Sequence, residues 1–125
     1  AVKANLSSIR PQAELYYSDN GGTYGSATIA VATCTTISGT TSVINDAKII
    51  SQIASAKSAG GGVVSCVAGT DYYAVVVQLK ADKTKAFCVD NTGKAEIVTE
   101  NTSTPVAFIQ STLNSEISAS AGCVE

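Results

Sequence analysis

A chain of 125 residues, 45% hydrophobic and 14% charged, has material for one domain with one core and too little for two. Its formal charge of −2 argues against bulk electrostatic binding to nucleic acid or to an anionic membrane. Histidine is absent, which removes the usual general base and the commonest metal ligand.

The first element is an amphipathic helix over 1–19. Leu6, Ile9, Ala13 and Tyr16 recur at helical spacing, and Lys3, Arg10, Gln12 and Glu14 fall largely elsewhere. The run Ser18-Asp19-Asn20-Gly21-Gly22 then stops it. Pro11 lacks an amide hydrogen and costs about 3 kcal/mol in a straight helix interior, so a bend is expected near Ser7–Pro11. The stretch 20–62 is expected to be mostly loop. Its first part, Tyr24–Thr41, has β-branched residues but weak alternation, enough for one short strand at most. A second helix is expected over 43–58, with Ile44, Ala47, Ile50 and Ala54 on one face and Ile49 and Ile53 widening it. Ser42 or Asn45 would cap its start and Gly60-Gly61-Gly62 would end it.

From Val63 the period changes to two. An antiparallel meander of about four strands is expected over 63–98, with turns at Gly69-Thr70-Asp71, Ala81–Thr84 and Asn91-Thr92-Gly93. Its clearest strand, Tyr72–Lys80, places Tyr73, Val75, Val77 and Leu79 on one face and Tyr72, Ala74, Val76 and Gln78 on the other. The opening helix is the natural cover for one face, which makes the fold class α+β, a helix on an antiparallel sheet. The remainder, 99–125, is expected to be a C-terminal loop in which Thr104-Pro105 starts a short helix anchored by Phe108, Leu113 and Ile117.

Cys34, Cys66, Cys88 and Cys123 have no zinc-ribbon spacing, and their even number and wide scatter suit two disulfides in an oxidising compartment. Three pairings are open. Cys34–Cys66 with Cys88–Cys123 is favoured, because each bond closes a long irregular segment onto a strand-like one; four free buried thiols are the alternative.

No catalytic site is read from the sequence. Asp19, Asp46, Asp71, Asp82 and Asp90 sit at turns or caps, where the backbone accounts for them. Ser55-Ala56-Lys57 has no motif around it, and no Lys-Ser/Thr pair follows the glycine triplet as a phosphate loop requires. The turn Asp90–Gly93 holds a single acid, too few for calcium. Lys80, Lys83, Lys85 and Lys94 could converge into a basic patch. Asp82 and Asp90 lie among them without interleaved aromatics, so nucleic acid is not the expected partner. No cofactor and no metal are expected.

Several of these residues carry a resemblance. Ser8-Ile9-Arg10 and Gln12-Ala13-Glu14-Leu15-Tyr16-Tyr17 resemble the exposed half of the long N-terminal helix of type IV pilins, and Asn20-Gly21 and Tyr24 the segment after that helix. Val64-Ser65-Cys66 and Phe87-Cys88-Val89-Asp90-Asn91-Thr92-Gly93 are similar to the cysteine-bearing strands of that family, and Cys123 to the cysteine closing its C-terminal loop. The resemblance implies a single pilin-like domain over 1–125 and a structural role. The chain would be the head of a subunit that polymerises with its own kind into a cell-surface filament for adhesion, motility or uptake. It would be anchored in the inner membrane before assembly, through an apolar half-helix preceding Ala1. By itself the chain is expected to be monomeric. The alternatives are a minor pilin or type II secretion pseudopilin, and an unrelated secreted binding domain.

Overall fold

Two consecutive helices, α1 (Val2–Ser7) and α2 (Ile9–Asp19), take the place of one uninterrupted helix in the computed structural model, which describes residues 2–25, 29–31, 43, 46–99, 117–118 and 122–123. The cause is Pro11. Its nitrogen cannot donate to the Ser7 carbonyl and its ring crowds that oxygen, so the helical pattern lapses at Ser8. Ser8 nevertheless keeps right-handed helical dihedrals, φ −74° and ψ −13°. The Ser8 amide donates to the Ala4 carbonyl at 3.1 Å and its hydroxyl to the Asn5 carbonyl at 2.7 Å. Val2, Leu6, Ile9 and Ala13 form one buried face that runs through the break.

The second helix, α3 (Ala47–Ala59), starts later than its periodicity suggests. Asp46, rather than Ser42 or Asn45, is the cap: its side chain accepts from the Ile49 amide at 3.3 Å. The buried face is also turned from the expected one. Ile49, Ile53 and Ala56 are buried, Ile50 is half-buried, and Ala47 and Ala54 are exposed. The strict Ile44-Ala47-Ile50-Ala54 row loses to the bulkier Ile49–Ile53 pair, which buries more apolar area for the same turn; Ile44 lies outside the described residues. Gln52 Nε2 donates to the Ser8 carbonyl at the break (3.2 Å) and Gln12 Nε2 to the Asp46 carboxylate (3.3 Å), tying α3 to α1 and α2.

The sheet has five antiparallel strands in chain order: β1 (Ile29–Val31), β2 (Val64–Ala68), β3 (Tyr73–Gln78), β4 (Lys85–Asp90) and β5 (Ala95–Thr99). The last four are the expected meander. The added β1 pairs with the outer side of β2, Ile29 opposite Ala68 and Val31 opposite Cys66. Alternation sorts the strands as the sequence implies. Val64, Cys66, Ala68, Tyr73, Val75, Val77, Phe87 and Val89 join the helices in the larger core. Val67, Ala74, Val76, Ala86, Cys88 and Val98 form a second, smaller one with Cys123.

That second cluster shows that the sheet is covered on both sides, since every residue of β2 and β3 is buried. The cover on the far side includes a ribbon of two short antiparallel strands, β6 (Ile117–Ser118) and β7 (Gly122–Cys123), which contact β2, β3 and β4. Ile117 is therefore in a strand and not in a helix; Pro105, Phe108 and Leu113 lie outside the described residues.

Candidate functional site

The residues singled out from sequence as a site are the cysteines, and two of them meet. Cys88 on β4 and Cys123 on β7 are disulfide-bonded, with Cα atoms 6.1 Å apart. Cys66 is also in a disulfide; its expected partner, Cys34, lies outside the described residues. Cys66 belongs to the helix-side core and Cys88 to the opposite one, so their bonds lie on opposite faces of the sheet.

Around Cys123 the chain builds a clasp that no sequence motif announces. Asp90 ends β4 two residues after Cys88, and strand alternation puts both on the face that receives β7. Its carboxylate is fully buried. Oδ1 accepts from the Thr92 amide (2.9 Å), the Thr92 hydroxyl (2.6 Å) and the Lys94 amide (3.2 Å), which shapes the β4–β5 turn. Oδ2 accepts from the Cys123 amide at 3.0 Å. Lys94 Nζ donates to the Cys123 carbonyl at 2.9 Å. Cys123 is thus gripped at its amide, its carbonyl and its sulfur. The sequence does hold one signal for this: an acid in phase with Cys88 on a buried strand must meet donors or incur a large desolvation cost. Both oxygens of Asp90 are given to protein donors, so the turn is chemically complete as a structural device.

The same end of the sheet is cross-tied at Asn91. Its Oδ1 accepts from the Tyr73 amide (3.3 Å) and its Nδ2 donates to the Asp71 carbonyl (3.1 Å), joining the β2–β3 and β4–β5 turns. Gly93, at φ +99°, closes the latter turn in a conformation that side chains rarely adopt. Lys94 follows it there, while Lys80, Lys83 and Lys85 lie at the opposite end of β4; the four lysines do not converge.

Between helix and sheet lies a tyrosine stack. Tyr17 and Tyr24 rings are 4.7 Å apart and Tyr24 meets Tyr73 edge-on at 5.0 Å. The Tyr24 hydroxyl donates to Glu14 Oε1 at 2.7 Å, and burial together with that carboxylate raises its pKa. Tyr73 is pushed up to about 12, first by burial and then by Glu14. Its buried hydroxyl makes no hydrogen bond of good geometry; the Arg10 guanidinium beside it opposes the shift by its charge and by a weak hydrogen bond. Arg10, Glu14, Ser7 and Pro11 line a shallow groove of about 370 Å³ closed on its other side by Ala95 of the edge strand.

Among the described residues, no group of three or more His, Cys, Asp or Glu is placed to hold a metal ion, and no helix is long and apolar enough to cross a membrane. No protein-family model, curated protein or solved structure matches this chain.

Proposed function

We propose that this chain is the globular head of a filament subunit of the type IV pilin kind, acting structurally at the cell surface and without catalysis. The observation that carries the reading is the joint arrangement of a helix on a sequential antiparallel meander and a C-terminal ribbon sealed to that meander by Cys88–Cys123. Disulfides are consistent with an oxidising, extracellular setting. A head packed among its own kind also needs outward apolar anchors. Leu15 on α2, 53% exposed, and Ile97 on the edge strand β5, 44% exposed, are the large hydrophobic residues left at the surface of the described chain.

In this reading assembly is driven by an apolar helical extension upstream of α1, and the head supplies the outer surface and side-to-side contacts. Major and minor subunits share the fold and differ in abundance. The test is to shear surface fibres from cells that carry the whole gene and identify the bulk protein by mass spectrometry. Peptides of this chain as the dominant species, joined to an upstream apolar helix, support a major subunit. Peptides at trace level in such fibres assign a minor one. An ordinary cleavable signal directly before Ala1, with the protein free in the medium, overturns the filament reading in favour of a secreted binding domain.

A further inference from the structure

Five of the eight Lys and Arg residues gather at one end of the molecule. The β3–β4 connection carries Lys80 and Lys83, and Lys85 begins β4; the Leu79 amide donates to the Lys85 carbonyl at 2.9 Å and Gln78 Nε2 to the Lys83 carbonyl at 3.0 Å, which folds this connection back on itself. The end of α3 arrives at the same place. Gly61 donates to the Gln78 carbonyl at 2.8 Å, and a side chain at Gly60 would collide with that carbonyl and come within 3.1 Å of Val2. Lys57, in the last turn of α3, and Lys3, in the first turn of α1, complete the group. Lys3, Lys57, Lys80 and Lys83 are exposed and Lys85 is half-buried.

The acid described at this end is Asp82, and its Oδ1 already accepts from the amide and hydroxyl of Thr84. Among the described residues, five lysines stand against one aspartate at this end, on a chain whose net charge is −2. Between the lysines lies an apolar hollow of about 380 Å³, floored by Val2, Ala59, Leu79 and Ala81 and rimmed by Lys3 and Lys80.

We infer that this end docks onto the anionic headgroup layer of a phospholipid bilayer. Ammonium groups around an apolar floor match the interfacial zone: lysines reach phosphate while their stems and the floor face the glycerol level. A second copy of the chain is the poorer occupant. Among the described residues, its far end sets Asp19, Asp46 and Asp71 against Lys48 and Lys94, with Asp90 buried, a small net negative charge to meet a surface of lysines. The inference stands apart from the filament reading, because it concerns the chain as a free domain and needs no fibre.

The test is flotation of the purified chain with phosphatidylcholine vesicles containing about a third phosphatidylglycerol, against pure phosphatidylcholine. Binding is expected to the anionic vesicles alone and to vanish as salt is raised to about 0.5 M. K80Q and K83Q, made separately, should each weaken it about fivefold, and K48Q at the far end should leave it unchanged. No binding to anionic vesicles at low salt overturns the inference. So does an equal loss from K48Q, which would make the effect one of diffuse charge. A concentration-dependent dimer dissolved by K80Q, without vesicle binding, assigns this end to a second copy and also overturns it.

Discussion

The two faces of the sheet are covered by different means. On one, α1, α2 and α3 supply their own backbone hydrogen bonds and bury Val2, Leu6, Ile9, Ala13, Ile49, Ile53 and Ala56 against the strands. On the other, the described cover is a ribbon of two-residue strands that meets β2, β3 and β4, where Val67, Ala74, Val76 and Ala86 face it. Burial at about 25 cal/mol per Å² carries most of the first cover, although a disulfide at Cys66 lies on that face as well. Among the described residues, the second is tied by point attachments at Cys123: the disulfide, the Asp90 carboxylate and the Lys94 ammonium. A cover made by area tolerates the loss of any one contact in proportion to its size, whereas a cover made by attachments fails when one is cut.

The largest expected effect comes from cutting the bond. The double variant C88S/C123S removes a crosslink spanning 35 residues, for which the chain-entropy model gives about 4 kcal/mol. Urea denaturation should show a drop of roughly that size, with native strain as a subtraction. On the helix side, Leu6→Ala should cost about 3 kcal/mol by emptying a fully buried site. That loss should be the same in the wild-type background and in C88S/C123S, since the residues sit in separate clusters. A strongly non-additive pair would show that the faces are not independent.

Smaller, and more pointed, is Asp90→Asn. The amide oxygen can keep the Thr92 and Lys94 bonds, but the amide nitrogen then faces the Cys123 N–H, donor against donor. A loss of about 2 kcal/mol is expected, with faster exchange of the Cys123 amide while the helix-side amides are unmoved. The least change at neutral pH belongs to Tyr73→Phe, within about 0.5 kcal/mol, because the hydroxyl it removes makes no hydrogen bond of good geometry and only a weak contact with Arg10. Its signature is alkaline. A tyrosine whose folded pKa is raised to about 12 contributes stability that is fully present below its ordinary value of 10 and lost as pH climbs from 10 to about 12. Tyr24 is shifted the same way, so the wild type should lose stability in that window, and Tyr73→Phe should lose less. A Tyr73→Phe profile superimposable on the wild type would remove Tyr73 as a contributor.

Much of the helix side is legible in the sequence. The alternation of Tyr72–Leu79 assigns each side chain to its face because a strand has a period of two and both faces need apolar residues. Pro11 announces the break at Ser8 because its missing hydrogen is a covalent fact. The buried face of α3 is not legible in the same way. Four isoleucines in ten residues, Ile44, Ile49, Ile50 and Ile53, allow more than one helical stripe, and tertiary packing chooses between them. Asp46 reads from sequence as a cap-type residue, but only packing makes it the start of α3.

The tail side is less legible for a physical reason. Strands of two residues such as β6 and β7 carry no period at all, and β1, at three, barely one. Their pairing is decided by where their partners lie, which is a long-range property. Cys123 is the exception because its chemistry names a partner. Asp90 is legible by half: its turn role is local, and its grip on Cys123 spans 33 residues.

The most direct test of the unequal covers is amide hydrogen exchange on C88S/C123S under native conditions. Protection is expected to collapse at Cys123, while amides of Leu6, Ile9, Ile53 and Val75 keep wild-type protection after correction for global stability. Uniform loss across both faces, or retained protection at Cys123, would contradict that expectation.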